Sequence, residues 1–187
     1  MTQGEIARAN RERVQRAARE AFQRLGAATT MDDVAKLAGV SKGTVYKSYP
    51  TRAALLEAMV VWHYDRTVSQ IECAQQSGCS ARETLLRVMI DPDLSAAAAS
   101  LVMVYSTPPG AITDALHRAL TKLDQLIAAG KEEGILAPDV DSDLLARLTV
   151  AVYRALPTDA RREPMLRRMV DVILRGLGTT NDGTIGG

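Results

Sequence analysis

The sequence predicts an all-helical protein made of a small three-helix head followed by a longer helical body. Three observations carry this. Aromatic residues are only 4% of the chain while Ala, Leu and Arg are abundant, a composition that favours helix over sheet. Apolar residues recur at helical spacing from end to end, with no sustained alternation of period two. The breaks between those stretches are Gly, Pro and Ser/Thr/Asp caps of the kind that start and stop helices.

The first helix is expected from about Glu5 to Leu25, where Val14, Ala17, Ala18, Ala21, Phe22 and Leu25 form one stripe. Arg8, Arg11 and Arg13 flank it, placed either as a basic arm for a phosphate backbone or as a solvated helix end. Thr30 followed by Asp33 opens a second helix with a near capping box, and Val34, Leu37 and Ala38 are its expected apolar face. Gly39 stops it, since glycine takes up a left-handed backbone at little cost. Ser41 caps a third helix in which Val45 turns inward and Lys42, Thr44, Tyr46 and Lys47 turn outward, with Gly43 leaving room for close backbone approach. Two short helices around a tight Ala-Gly-Val turn make a helix-turn-helix, and an outward face of cations, hydroxyls and an aromatic ring suits phosphates and base edges. The expectation is DNA binding. Thr30, Ser41, Lys42, Gly43, Thr44, Tyr46, Lys47, Tyr49 and Arg52 are the candidate residues, with Thr30, Tyr49 and Arg52 as anchors on the DNA backbone.

Charge agrees with this division. Residues 1–52 hold ten Lys and Arg against five Asp and Glu, a surplus of five positive charges; the rest hold thirteen against seventeen, and the chain totals +1. A basic head on an acidic body fits a DNA-binding module with a separate sensing body, although charge alone decides nothing.

Beyond Pro50, Thr51 caps a long fourth helix from Arg52 to about Gln75 with Leu55, Leu56, Met59 and Trp62 on its buried side. Ser77-Gly78-Cys79 breaks it, and Ser80 with Glu83 forms a full capping box before Leu85, Leu86, Val88 and Met89. Asp91-Pro92-Asp93 is a turn. An Ala-rich helix is expected from Leu94 to Tyr105, then one from Ala111 to Glu133, and two more over Ser142–Leu156 and Glu163–Leu177. The domain boundaries read as 1–50 for the head, 51–178 for the body and 179–187 for a polar, Gly-rich tail expected to be disordered.

The stretch Thr29-Thr30, Val34-Ala35, Ala38-Gly39-Val40-Ser41, Gly43-Thr44-Val45-Tyr46, Tyr49-Pro50 and Arg52 resembles the DNA-binding segment of the TetR/AcrR-type transcriptional regulators, in register over roughly residues 12–59. Tyr49 stands where Phe is usual, Arg52 where Lys is common and Ala53 where Glu is common. The first two changes keep an aromatic plug and a cation; the third removes an acid from a helix N-terminus, a small loss. The resemblance implies a homodimer on a palindromic double-stranded DNA operator, with regulation, most often repression, relieved by a small apolar effector in the body. It implies an effector pocket among helices four to seven, which offer Trp62, Tyr64, Met89, Met103, Tyr105, Leu116, His117 and Leu120; the same residues also serve as plain core. It further implies dimerisation through the last two helices, with Leu145, Leu148, Val152, Leu166, Met169, Val170, Ile173 and Leu174 as interface. The bland alternative is that these close the monomer's own core. A helical regulator or interaction module answering to a protein partner is the other functional reading.

Other chemistry finds little support. Asp139 to Asp143 superficially resembles a calcium loop, but Leu144 and Val150 occupy the positions that need Gly and Glu. His63 and His117 lack partners at metal-ligand spacing, and no phosphate loop, Ser/His/Asp set or carboxylate pair emerges, so no cofactor, metal or catalytic residue is expected. Cys73 and Cys79 make no disulfide framework and are expected to be unreactive thiols. No apolar run reaches a membrane span and the N-terminus is polar and charged; the expected location is the cytoplasm, with no membrane partner.

Overall fold

The computed structural model describes residues 2–25, 28–91, 110–156 and 162–178. The expected helix over 94–105, with Met103 and Tyr105, and the tail over 179–187 lie outside the described residues. Within them the regular structure is helical: α1 (Gln3–Leu25), α2 (Met31–Ala38), α3 (Lys42–Ser48), α4 (Arg52–Gln76), α5 (Ala81–Ile90), α6 (Gly110–Glu132), α7 (Ser142–Ala155) and α8 (Arg162–Gly176). The chain divides into two compact units. One holds the described residues up to Tyr64 with Gly110–Leu116, and the other holds Asp65–Asp91 with the described residues from His117 onward.

In the first unit, α1 buries Val14, Ala17, Ala18, Ala21 and Phe22 against Met31, Val34, Ala35 and Ala38 of α2, Val45 of α3, and Leu55, Leu56, Met59 and Val60 of α4, with Ile112 of α6 joining them. Five alanines on α1 and α2, Ala17, Ala18, Ala21, Ala35 and Ala38, belong to this core, and side chains this small let backbones approach closely. Each fully buried Val, such as Val14 or Val34, contributes about 1.5–3 kcal/mol over its exposed state. Two residues depart from expectation. The α2 stripe runs through 31, 34, 35 and 38, which leaves Leu37 off phase and 39% exposed; Leu25, at the very end of α1, is also exposed.

The second unit has its own core, built from Ile71 of α4, Leu85 and Met89 of α5, Leu126 and Ile127 of α6, Leu136 and Val140 of the following loop, and inward residues of α7 and α8. Ser80 and Glu83 complete the capping box of α5, and Asp141 caps α7 by accepting from the Leu144 N–H at 2.8 Å. Gly134 (φ 69°) turns the chain out of α6. The buried Tyr153 hydroxyl of α7 lies 2.8 Å from the Met89 carbonyl and 3.0 Å from that of Asp91, serving the carbonyls that the end of α5 leaves without helical partners. The buried Asp91 carboxylate accepts from Arg66 Nε at 2.8 Å and from Gln70 Nε2, both on α4.

The residues expected at a dimer interface divide by burial. Leu145, Val152, Leu166, Val170 and Leu174 lie in the core of their own chain, at 3% exposure or less. A side chain that is already buried has no surface left to give a partner. The remaining three, Leu148, Met169 and Ile173, are partly exposed. Leu148 lies in a second apolar stripe of α7 with Leu144, Ala151 and Ala155, and Met169 borders one on α8 with Met165 and Val172, at 40% and 56% exposure, while Met169 and Ile173 also pack against the chain's own core. Each stripe is about 100° or more round its helix from the buried one, which is why apolar spacing alone does not separate them. No helix among the described residues is long and apolar enough to cross a membrane.

Candidate nucleic-acid interface

The turn between α2 and α3 is fixed at both sides. Thr30 has extended backbone and accepts from the Asp33 N–H at 3.2 Å, while the Asp33 carboxylate accepts from the Thr30 N–H at 3.0 Å, so the capping box is complete. The Thr30 hydroxyl also donates to the Asp33 carboxylate at 2.6 Å, and that bond, ahead of the one from the Thr30 N–H, holds the Asp33 carboxyl below the usual carboxylate range. At the other end Gly39 sits at φ 62°, ψ 38°, with its N–H directed to the carbonyls of Ala35 and Lys36. Arg13 of α1 reaches over to this turn: its Nη2 donates to the Ala38 carbonyl at 2.9 Å and to that of Gly39 at 3.4 Å. The arginine expected in a flanking arm is thus a brace of the helix-turn-helix itself. Only the fold brings positions 13 and 38 together, so no local pattern announces the contact.

Ser41 caps α3 by accepting from the Thr44 N–H at 3.1 Å, and its hydroxyl lies 2.9 Å from that of Thr44. With Val45 fully buried as the inward anchor, Lys42, Gly43, Tyr46 and Lys47 are exposed and Thr44 is half-buried. Lys47 makes no ion pair among the described residues. Lys42 does: its Nζ stands 2.8 Å from Asp32 Oδ1 of α2, both side chains more than half exposed. That hydrogen bond, followed by the charge of Asp32, raises the affinity of the Lys42 ammonium for its proton above the lysine norm.

The expected backbone anchors divide. Thr30 is exposed beside its capping box. Arg52 is exposed too, yet it also has a structural duty, donating from Nε to the Thr29 carbonyl at 3.3 Å with its guanidinium 5.6 Å from the centre of the Phe22 ring. Tyr49 is 2% exposed, so the structure keeps it as the aromatic plug of the core and does not bring it to the surface. Arg11 lies over its ring at 4.9 Å, a cation–π contact that α1 makes to the end of α3.

The expected effector residues that are described fall in both units. Trp62, Tyr64 and Leu116 belong to the first unit and Met89, His117 and Leu120 to the second. Trp62 is covered by the Arg19 guanidinium at 3.7 Å, Tyr64 is half-buried with its phenol pushed up by burial, and Met89 is part of the second core. His117 is exposed. Cys73 is exposed and Cys79 half-buried, both as free thiols, and no three His, Cys, Asp or Glu side chains among the described residues come together as a metal site.

A short helix with a buried anchor, an exposed cationic and aromatic face, and a second helix bracing it through a left-handed turn defines a helix-turn-helix DNA-binding protein. Residues 15–59 match the model of the bacterial regulatory proteins of the tetR family, and residues 81–179 match that of the C-terminal domain of SbtR-like transcriptional regulators. The second match alone spans more than half of the chain, and the chain belongs to the TetR family of bacterial transcriptional regulators. Among solved structures, a TetR transcription regulatory protein from Mycobacterium vanbaalenii is 29% identical with a TM-score of 0.66, over 95% of this chain and 100% of its own. A TetR transcriptional regulator from Streptomyces coelicolor is 24% identical with a TM-score of 0.65, over 91% and 99%. The TetR-family protein CprB from S. coelicolor A3(2) shares 19% identity with a TM-score of 0.69, over 94% and 91%. Among curated proteins no relative is found.

Proposed function

We propose that this regulator is a homodimeric repressor that reads a palindromic operator with α3 and releases it when a small, largely apolar effector binds in the body. The observation that carries the DNA half is the exposed set Lys42, Gly43, Tyr46 and Lys47 on a helix whose opposite side, Val45, is fully buried. In this reading Lys47 and Lys42 take phosphates or base edges, Thr44 and Tyr46 contact bases, and Thr30, Ser41 and Arg52 lie along the backbone. Residues 1–50 act as the head and 51–178 as the effector and dimerisation body. Family membership supports the dimer, and so do the exposed stripes of α7 and α8, which leave Met165 and Val172 facing outward. Two heads related by a two-fold axis match two half-sites. An effector among the body helices would shift α4 and change the separation of the heads, lowering operator affinity.

Selection from a random DNA pool, followed by sequencing of the retained molecules, tests the reading. It expects a palindrome with half-sites about one helical turn or more apart. Retention that is salt-sensitive and indifferent to sequence overturns it. Introducing Val172→Asp should convert the dimer to monomer in sedimentation and weaken operator binding without unfolding the chain; an unchanged dimer removes the α8 stripe from the interface.

A further inference from the structure

Within the exposed cationic face of α3 stands a carboxylate. Asp32 reaches from α2 to Lys42, Oδ1 to Nζ 2.8 Å, with side-chain exposures of 52% and 58%. The acid is not needed to start α2, because the capping box is made by Thr30 and Asp33. Nor is it buried, so packing does not require it. Its one polar contact among the described residues is the lysine that opens the candidate recognition helix. A surface ion pair of this kind adds little to folding stability. Its consequence falls instead on whatever approaches the face.

We propose that Asp32 is a specificity-determining residue of the DNA-reading face, acting by holding Lys42 in a directed position and by opposing phosphates there. The inference rests on the reading of α3 as the DNA-reading helix. Phosphates are the same in every sequence, so a cation free to settle on any of them strengthens all complexes alike. Lys42 tied to Asp32 must give up an existing partner before it can take a phosphate, and an incoming phosphate meets the carboxylate as well as the ammonium. Indiscriminate binding is weakened, while base contacts by the rest of the face are untouched. The ratio of operator affinity to that for unrelated DNA therefore rises, a use of repulsion to build specificity. Asp33, one residue on, is engaged elsewhere, its Oδ2 accepting from both the N–H and the hydroxyl of Thr30.

The test compares the full-length wild type with Asp32→Asn, which keeps the shape and removes the charge. Affinities for the operator recovered from the wild-type selection and for a scrambled duplex of equal length are measured across a salt series. The expected result is a scrambled-duplex affinity raised ~3–10-fold, a salt dependence steeper by about one counterion, and a narrowed operator-to-scrambled ratio. In a Lys42→Ala background the same change should lose the part of that gain that comes from freeing the lysine and keep only the part that comes from removing a carboxylate opposite phosphates. An unmoved ratio and slope in a variant whose thermal melt matches the wild type overturns the proposal, as does a gain that persists in full without Lys42. Asp32→Ala provides a second variant if the amide itself makes new bonds. Failure of the wild type to select any operator would instead defeat the underlying reading of α3, so the two failures are distinct.

Discussion

Replacing Gly39 by Ala should cost the protein about 1–2 kcal/mol, and the structure says which part of the residue is responsible. Gly39 lies at φ 62°, ψ 38°, a region that charges an L-residue roughly 1–2 kcal/mol for its Cβ. A Cβ built there would have Arg13 Nη2 as its nearest neighbour at 3.5 Å, an ordinary van der Waals contact, so collision adds nothing. The gain from a stiffer unfolded chain, about 0.4–1 kcal/mol where the backbone is compatible, does not offset a strained site. For a chain of this size the melting temperature should fall by ~2–8 °C, measured at one protein concentration so that assembly does not enter. Gly39→Asn should lose distinctly less, since Asn visits the left-handed region more readily. A double-mutant cycle with Arg13→Ala separates the causes. Backbone strain predicts additive losses, whereas a clash predicts that removing Arg13 restores part of the stability. A Gly39→Ala protein as stable as the wild type, or an Asn variant worse than the Ala one, would refute the reasoning.

Three further outcomes are expected. Lys47→Ala should weaken binding to all duplexes and flatten the salt dependence by about one counterion; an unchanged slope takes Lys47 off the phosphates. Tyr153→Phe keeps the ring and removes a buried hydroxyl that serves two carbonyls of the α5 terminus, so it should destabilise by about 1–3 kcal/mol in chemical denaturation. A loss under about 0.5 kcal/mol would mean those carbonyls are satisfied without it. Because Thr30 holds the Asp33 carboxyl below its ordinary value of 3.8, the stabilisation from that bond is complete above this value and is lost as pH falls through the lower folded value. Thr30→Ala should remove that acid-dependent part, so the acid titration of α2 in the variant, followed by NMR of the Asp33 carboxyl, should shift back toward 3.8.

Where a helix starts was legible because the signal is local. Thr30 with Asp33, Ser41 and Ser80 with Glu83 announce starts within four residues, and the structure has a cap at each. The faces were harder. On α2 the apolar residues include Leu37, and only the packing of 31, 34, 35 and 38 decides that Leu37 is left out. On α7 and α8 two apolar stripes run side by side, and nothing in the spacing says which one the chain keeps for itself. On the candidate DNA face local caps and one inward Val place Lys42, Tyr46 and Lys47 outward, and these are exposed, whereas Thr44 is half-buried and Tyr49 is buried. Long-range polar contacts left no trace in the sequence: Arg13 on the turn, Gln15 Nε2 on the Ala58 carbonyl at 3.1 Å, and Asp91 with Arg66 all join residues more than 20 apart.

The arginines stacked on the head's rings have a consequence for which substitutions the head can absorb. Arg11 over Tyr49, Arg19 over Trp62 and Arg52 over Phe22 each place a flat cation on or near an aromatic ring. A lysine at any of them would leave the formal charge of the domain unaltered, and a tally of basic residues would record no change. The guanidinium contact with the ring would be gone all the same, because an ammonium is a compact point charge on a flexible stem. In this head, charge and shape are separate requirements at the same positions. The arginines on the rings behave as packing residues that happen to be ionised.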